Sequence, residues 1–337
     1  TVTSMVQLFG VMPRRRACDR HSGTRRSRHA EVVGIPPLVV QHHHAHIIAC
    51  MADNEVSPPV LGFAWDGSGL DDDRTTSGSG CLLASRASFL HVASLHPFRL
   101  AGGAEAKCHP NHTALSLLYH MMGAAVLDEQ QLLSQLELTP DKASSLVSFL
   151  SKGINAPWCS SMGSLFDGVA ALLQLQLKCS FEGQAAARLE YAVHAGPAGD
   201  PYPFDLGQWR ERGVPHRTIE WEPMLRGLLD DRAAGVDSTT CATRFHEGLV
   251  ALMCRLACEV NTPRVVLSGG CFQNMVLLKR GVQRLRENGF QVYTHQRVPP
   301  NDGGLALGQV VYAMEQGLHS KPLSNLVGDP GAPSLYA

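Results

Sequence analysis

Apolar positions along the chain change their period several times. Leu38-Val39-Val40, following Pro36-Pro37, is a short run, mostly β-branched, that reads as a strand feeding a helix from His42 to about Asn54. Val60–Trp65 reads as a second, buried strand that breaks into the Gly- and Ser-rich stretch Gly67–Gly80. Cys81–Ala84 and Phe89–Ala93 complete a three-strand meander. From Asn111 to about Leu150 the spacing turns helical, through Leu115, Leu117 and Leu118 and then Leu132, Leu133 and Leu136. Further helices are predicted at Met162–Gln176, Glu182–Val193 and Thr240–Val260, interrupted by Pro201–Leu206 and the proline-marked Val214–Thr218. The C-terminal part alternates: strand Val265–Leu267, helix Cys271–Asn288, strand Val292–Thr294, helix Gly303–Glu315. Such alternation implies an α/β lobe with a parallel portion. From Gly317 onward a Pro-, Gly- and Ser-rich stretch reads as a loose terminus. No internal repeat is visible.

Composition narrows the function classes. With 337 residues, 44% apolar and 18% charged, the chain has material for about two lobes, and global disorder is excluded. Residues 1–30 hold seven Arg against one Asp, so +6 of the total −1 sits there and the rest of the chain carries −7. A broad basic surface is therefore absent from the body, and no nucleic-acid partner is expected. Ten cysteines are scattered singly without a CxxC pair, which reads as reduced thiols in a cytoplasmic protein. Cys254 and Cys258, on one helix face, read as small core residues rather than metal ligands. No apolar run approaches the roughly 18 residues of a membrane span, so no membrane partner is expected. The cluster Arg14-Arg15-Arg16 follows the apolar run Met5–Met12, the reverse order of a secretory signal. The Arg-rich, acid-poor start has the composition of a transit peptide.

Four segments carry candidate chemistry. In Gln41-His42-His43-His44-Ala45-His46, residues 42 and 46 share a helix face, so two imidazoles can address one metal. His43 and His44 fall off that face and read as supporting groups. Ala64-Trp65-Asp66-Gly67-Ser68-Gly69 ends a buried strand in a carboxylate and a glycine turn. That pattern suits a cation beside a phosphate, and equally a plain hairpin turn. Asp71-Asp72-Asp73 then adds negative charge, favouring metal mediation or solvent exposure. Val265–Leu267 runs through Ser268-Gly269-Gly270 into a helix, which presents free amides to a nucleotide or, on the simpler reading, makes a tight turn needing φ > 0. Asp302, in Pro299-Pro300-Asn301-Asp302-Gly303-Gly304, could simply cap the following helix. Two glycines at a helix start cost stability, which favours a functional loop.

These segments, in this order, resemble the C-terminal transferase domain of the hydrogenase-maturation carbamoyltransferases of the HypF type. Ala17-Cys18-Asp19-Arg20-His21 resembles that family's ACDLH segment and Val40–His46 its VQHHHAH. Ser161–Asp167 resembles SMGRLFD, Phe181–Ala186 YEGQAA, and Ser268–Asn274 with Pro300–Leu307 complete the set. Because the match begins at Ala17, it argues against a long cleaved transit peptide. The resemblance implies an α/β, actin-like ATPase type of two-lobed fold. In it, residues 1–58 would be the remnant of a truncated first lobe carrying the His-rich metal helix. Residues 59–320 would form the second lobe, with a meander at 59–95, a helical insertion at about 110–260 and an α/β nucleotide part at 262–316; 321–337 would be the tail.

The resemblance also implies roles. His42, His46 and Asp302 match metal ligands, and Asp66 is the candidate fourth. Gly67 and Gly69, with Gly269, Gly270 and Asn274, match nucleotide-binding turns, and Asp167, Glu182 and Gly183 look like ribose or adenine contacts. By its sequence alone, Glu182 would more simply be an acidic residue at a helix N-terminus. The implied cofactors are a divalent metal (Zn or Fe, or else Mg) and ATP or carbamoyl-adenylate. The implied reaction moves carbamoyl from carbamoyl-adenylate to the C-terminal Cys thiolate of a HypE-like acceptor protein, with ATP and carbamoyl phosphate as ultimate substrates. The nucleophile is the partner's, so none of the ten cysteines is assigned a catalytic role.

Complete enzymes of this type carry acylphosphatase, zinc-finger and adenylate-forming domains upstream, for which this chain has no counterpart. Ser164 stands where Arg is usual, and Lys107-Cys108-His109-Pro110 replaces an Arg-Glu-Pro segment. Ser77-Gly78-Ser79-Gly80-Cys81 stands in place of a tryptophan-Gly-Gly-Glu segment. Lost arginines remove bidentate phosphate contacts. Two alternatives therefore stand beside the main one: a tRNA threonylcarbamoyladenosine transferase, and an inactive nucleotide- and metal-binding docking fragment.

Overall fold

The structure, a computed structural model, describes residues 2–10, 14–19, 37–70, 76–194, 196, 199–211 and 214–316. Arg20, His21, the Asp71–Asp73 run and the tail from 317 lie outside the described residues. Helix α1 (Val2–Phe9) precedes β1 (Ala17–Asp19) and β2 (Leu38–Val40), which pair in parallel as a separate two-stranded sheet. Gln41 then caps α2 (His42–Asp53), its side-chain oxygen accepting the His44 N–H at 2.7 Å.

Strands β3 (Val60–Leu70), β4 (Thr76–Ala84), β5 (Phe89–Leu95) and β6 (Phe98–Arg99) follow. Next come α3 (Pro110–Met122), α4 (Gln130–Gln135), α5 (Pro140–Lys152), β7 (Trp158–Ser161), α6 (Met162–Leu172) and α7 (Gln184–Tyr191). The chain continues through β8 (Asp205–Glu211), β9 (Val214–Glu220), α8 (Glu222–Ala233) and α9 (Ser238–Val260). It ends with β10 (Arg264–Ser268), α10 (Met275–Glu287), β11 (Gln291–Thr294) and α11 (Leu305–Glu315).

Nine strands build the main sheet, with β11, β10, β3, β4, β5, β9 and β8 in that spatial order and β7 bridging β4 to β6. Strand β3 lies parallel to β10 and antiparallel to β4, so the C-terminal α/β alternation and the meander share one sheet. Its side chains alternate as a two-faced strand requires. Leu61, Phe63 and Trp65 enter the main core with Phe166, Phe245 and Phe272, while Val60 and Ala64 pack under Ile47, Cys50 and Met51 of α2.

The stretch expected to be a helical insertion at about 110–260 needs correcting. It contributes β7, β8 and β9, which join the main sheet, and the helix α8. Strand β8 is an edge strand reading Asp-Leu-Gly-Gln-Trp-Arg-Glu, and its polar character hides it from an apolar alternation. Strands β3 and β4 run on through most of the stretch expected as loop. The helix expected from Cys271 starts at Met275, after a 3-10 turn over Gly270–Gln273. All ten cysteines are free thiols, and no helix among the described residues is long and apolar enough to cross a membrane.

Candidate metal and nucleotide site

The i, i+4 spacing on α2 brings the His42 and His46 rings to 4.8 Å between centroids, both facing the end of β3. There Asp66 Oδ2 lies 3.3 Å from His42 Nε2 and 3.1 Å from His46 Nε2. Asp302 Oδ1 comes from the loop before α11 to 3.6 and 3.7 Å from the same two nitrogens. The four ligand atoms lie within 4.8 Å of one another, three of the residues buried and Asp302 exposed.

Donors around a four-coordinate ion with bonds of about 2.0–2.1 Å sit about 3.3–3.4 Å apart, close to these separations. Electrostatics agree with a site built for positive charge. Burial would depress His42, yet hydrogen bonds to the Asp19 and Asp66 carboxylates and their charges outweigh it and raise its pKa to about 10. His46 is likewise raised, against burial, by Asp302 and Asp66. Asp66 is held far below the usual carboxylate range, again against burial, by the two histidines. A divalent cation can replace protons in such a cluster, and two imidazoles with two carboxylates suit Zn or Fe better than Mg.

His43 and His44 point elsewhere. His44 Nε2 donates to the Ser85 carbonyl at 2.7 Å and its ring packs on Phe89; burial lowers its pKa to about 4, so it stays neutral. The His43 ring lies against Gly80.

The cluster opens into a cavity of about 400 Å³. Of the residues expected at a nucleotide, Asp66, Gly67, Asp167, Glu182, Gly183 and Gly270 line it, with Asp302 at its edge beside Asn301 and Gly303. The carboxylate of Asp66 is itself oriented, Oδ1 accepting the N–H groups of Gly67 at 2.7 Å and Gly270 at 3.3 Å. Asp167 is pushed up to about 7 by burial and then by the charge of Glu182, with Lys107 offsetting part of this. Lys107 Nζ holds Glu182 Oε1 at 2.8 Å.

Gly69 pairs with Ser77 in the β3–β4 ladder. Gly269 and Asn274 stand outside the cavity lining. Gly269, at φ +97°, passes so close to β3 that a Cβ would sit 2.2 Å from the Trp65 carbonyl oxygen, and its N–H donates to Pro300 at 2.9 Å. It therefore ties the strand β10 turn to the Asp302 loop. Asn274 is the N-cap of α10: Oδ1 accepts the Leu277 N–H at 2.9 Å and Nδ2 donates to His246 Nε2 at 2.9 Å. Its carboxamide is committed to structure.

Other groups escaped the sequence reading. Asp19 Oδ2 lies 2.6 Å from His42 Nδ1, although only its place in the Ala17–His21 segment could have drawn notice. Ser268 Oγ lies 3.0 Å from the His46 carbonyl oxygen and 2.7 Å from His295 Nε2, a residue with no sequence signal at all. Ser161 caps α6 by accepting the Ser164 N–H at 3.1 Å, and its hydroxyl reaches the Gly67 carbonyl at 2.9 Å. Strand β7 thereby holds β3 at the bulge after Asp66.

A family model described as "Carbamoyltransferase, Kae1-like Domain, second subdomain" matches residues 62–309, and "HypF Kae1-like domain" matches residues 1–53. The chain belongs to the HypF carbamoyltransferase family. It is similar to carbamoyltransferase HypF of Synechocystis, 33% identical over 92% of this chain and 41% of that protein. It is similar also to carbamoyltransferase HypF of Rhodobacter capsulatus, 36% identical over 91% and 40%. Among solved structures, full-length HypF "in the phosphate- and nucleotide-bound form" superposes with TM-score 0.85 at 32% identity, over 95% of this chain and 49% of that one. The chain thus spans about two fifths of the length of these relatives. The mixed α/β architecture is that of the HypF C-terminal transferase domain, an actin-like ATPase type of fold. The two HypF family matches meet between α2 and β3, so His42 and His46 fall in one and Asp66 and Asp302 in the other.

Proposed function

We propose that this chain carries the carbamoyl-transfer step of [NiFe]-hydrogenase maturation, moving carbamoyl from carbamoyl-adenylate to the C-terminal Cys thiolate of a HypE-like acceptor. The observation that carries this reading is the opening of the His42–His46–Asp66–Asp302 cluster into a cavity walled by Asp167, Glu182, Gly183 and Gly270. The nucleotide bound in the similar full-length HypF structure supports assigning adenylate to that cavity.

In this reading the four clustered side chains hold the metal, which supplies Lewis-acid polarisation and charge neutralisation when bound. Asp167 and Glu182 accept hydrogen bonds from the nucleoside. Gly67 in the β3 bulge and Gly270 after β10 let backbone approach the phosphate, and Lys107 is the basic residue among the described residues lining the cavity. Cys271 also lines it, but burial and then the Asp66 and Asp167 charges push its thiol well above the ordinary range. It is therefore protonated at neutral pH and a poor nucleophile, which leaves the thiolate to the acceptor.

One observation favours a second reading, a docking fragment without transfer activity: Ser164, which stands in place of the Arg of the resembled SMGRLFD segment, lines the cavity wall. Incubating the chain with synthetic carbamoyl-adenylate and an acceptor ending in Cys separates the two. Labelled acceptor thiol that disappears in His42→Ala/His46→Ala establishes transfer. An unlabelled thiol, with metal and nucleotide bound normally, leaves the docking fragment.

A further inference from the structure

We propose that Asp19 is a positioning residue of the candidate metal centre: its carboxylate fixes the His42 ring with Nε2 aimed at the ligand cluster. The inference rests on the metal reading of that cluster. His42 bridges two groups at once, Nδ1 at 2.6 Å from Asp19 Oδ2 and Nε2 at 3.3 Å from Asp66 Oδ2. A neutral imidazole that ligates through Nε2 must keep its one proton on Nδ1, and Asp19 is the acceptor waiting there. A carboxylate in this place selects the tautomer, holds the ring plane and raises the basicity of the ligating nitrogen. The contact is shielded, with the His42 side chain 4% and the Asp19 side chain 14% exposed.

The second histidine is held differently. His46 Nδ1 lies 3.5 Å from Ser268 Oγ, and that hydroxyl is shared with the His46 carbonyl and His295. Among the described residues no carboxylate takes the equivalent place at His46 Nδ1, whereas Asp19 takes it at His42.

The fold explains how a residue 23 positions away reaches the ring. Strands β1 and β2 pair in parallel with Asp19 opposite Val40, and Val40 stands two residues before His42 across the Gln41 cap. A slip of one residue would turn Asp19 to the other face. Arg15 Nη1 donates to the Ala313 carbonyl of α11 at 2.7 Å, bracing β1 against the helix that follows the Asp302 loop. The short two-stranded sheet thus serves as a mount for the ligand-bearing helix.

The test uses the whole chain, Co(II) as the probe metal and a competing chelator, with wild type, Asp19→Asn and Asp19→Ala. Expected are one Co(II) per wild-type chain, about 10- to 100-fold weaker binding in Asp19→Ala, and an intermediate loss in Asp19→Asn, whose amide oxygen still accepts the Nδ1 proton. The visible Co(II) band should shift in both variants; the metal-free midpoint falls as well, because the shielded Asp19–His42 contact is lost, so affinity and band carry the test. A purely structural Asp19 would move the midpoint and leave affinity and band alone. Equal affinity and an unchanged band in both variants overturn the inference while the metal reading survives. A wild-type chain that binds no Co(II) overturns both.

Discussion

Replacing Asp167 by Asn should stabilise the free protein and weaken its hold on nucleotide. The carboxylate stands in the wall of the cavity beside Glu182, and burial followed by that like charge raises its pKa from 3.8 to about 7. The folded chain therefore keeps a proton that the unfolded chain has already released between about pH 4 and pH 7. Stability falls through that window, and the penalty is complete above about pH 7. Three units at 1.36 kcal/mol each bound it at roughly 4 kcal/mol, and partial exposure of the cavity wall reduces this to about 2–4 kcal/mol. Asn keeps the shape without the charge, so at pH 8 the variant should melt several degrees higher, at about 2–4 °C per kcal/mol. The gain should shrink steadily toward pH 5. Calorimetric melting of both proteins from pH 5 to pH 8 measures it, and parallel curves would refute the electrostatic account. Titration with ATP checks the functional half. At pH 8, where the folded carboxylate is ionised, loss of a charged acceptor should weaken binding about tenfold or more. If the variant is stabilised but binds ATP as before, Asp167 is no nucleoside contact.

His42→Ala/His46→Ala should abolish stoichiometric metal by elemental analysis while the far-UV spectrum is retained; metal content equal to wild type would dismiss the cluster as a ligand set. Asp53 accepts N–H groups of Gln296 at 2.6 Å and Arg297 at 3.0 Å and the Arg297 guanidinium at 2.9 Å, so it clamps the strand exit that leads to Asp302. Against burial, these bonds hold its pKa down to about 2. The stability they contribute, roughly 2 kcal/mol, is present above about pH 4 and lost as pH falls through about 2. Asp53→Asn should cost about that much at pH 7 by denaturant unfolding, and less than half of it near pH 2.5. A Cβ on Gly308 would meet the Ala45 carbonyl oxygen at 1.9 Å, so Gly308→Ala should lift α11 from α2, costing about 1–3 kcal/mol and weakening metal binding together. Ser164→Arg adds a guanidinium to the cavity wall and should tighten nucleotide binding about tenfold in calorimetric titration.

What could be read from the sequence, and what could not, follows the range of the interactions involved. His42 and His46 were legible because helical periodicity alone puts them on one face. Asp66 was legible as a carboxylate ending a buried strand, although the residues by themselves left a hairpin turn equally open. Asp302 needed the resemblance, because its approach to the histidines depends on the Gly269–Pro300 hydrogen bond and the Asp53 clamp, both long-range. Asn274 came to the nucleotide through the resemblance, as the end of the Ser268–Asn274 segment; a helix-start reading of Asn-Met-Val-Leu also gives the cap it forms. Strands β7 to β9 stayed hidden because they are short or polar, and their stability comes from joining β4 and β5 rather than from their own pattern.

The residues at which local rules fail converge on one place. Asp66 at the end of a core strand, Asp167 on a largely apolar helix and two glycines before α11 each cost local stability. Asp66 and the Asp302 loop are nevertheless held by bonds from elements remote in sequence, Asp66 by α2 and the β10 turn, and the loop by the end of α2. A chain spends long-range structure on locally unfavourable groups where it needs their chemistry. Here the carboxylates of Asp66, Asp167 and Asp302 line one cavity, and two of them contact the His42 and His46 imidazoles, which supports the proposed reaction there more than any one motif does.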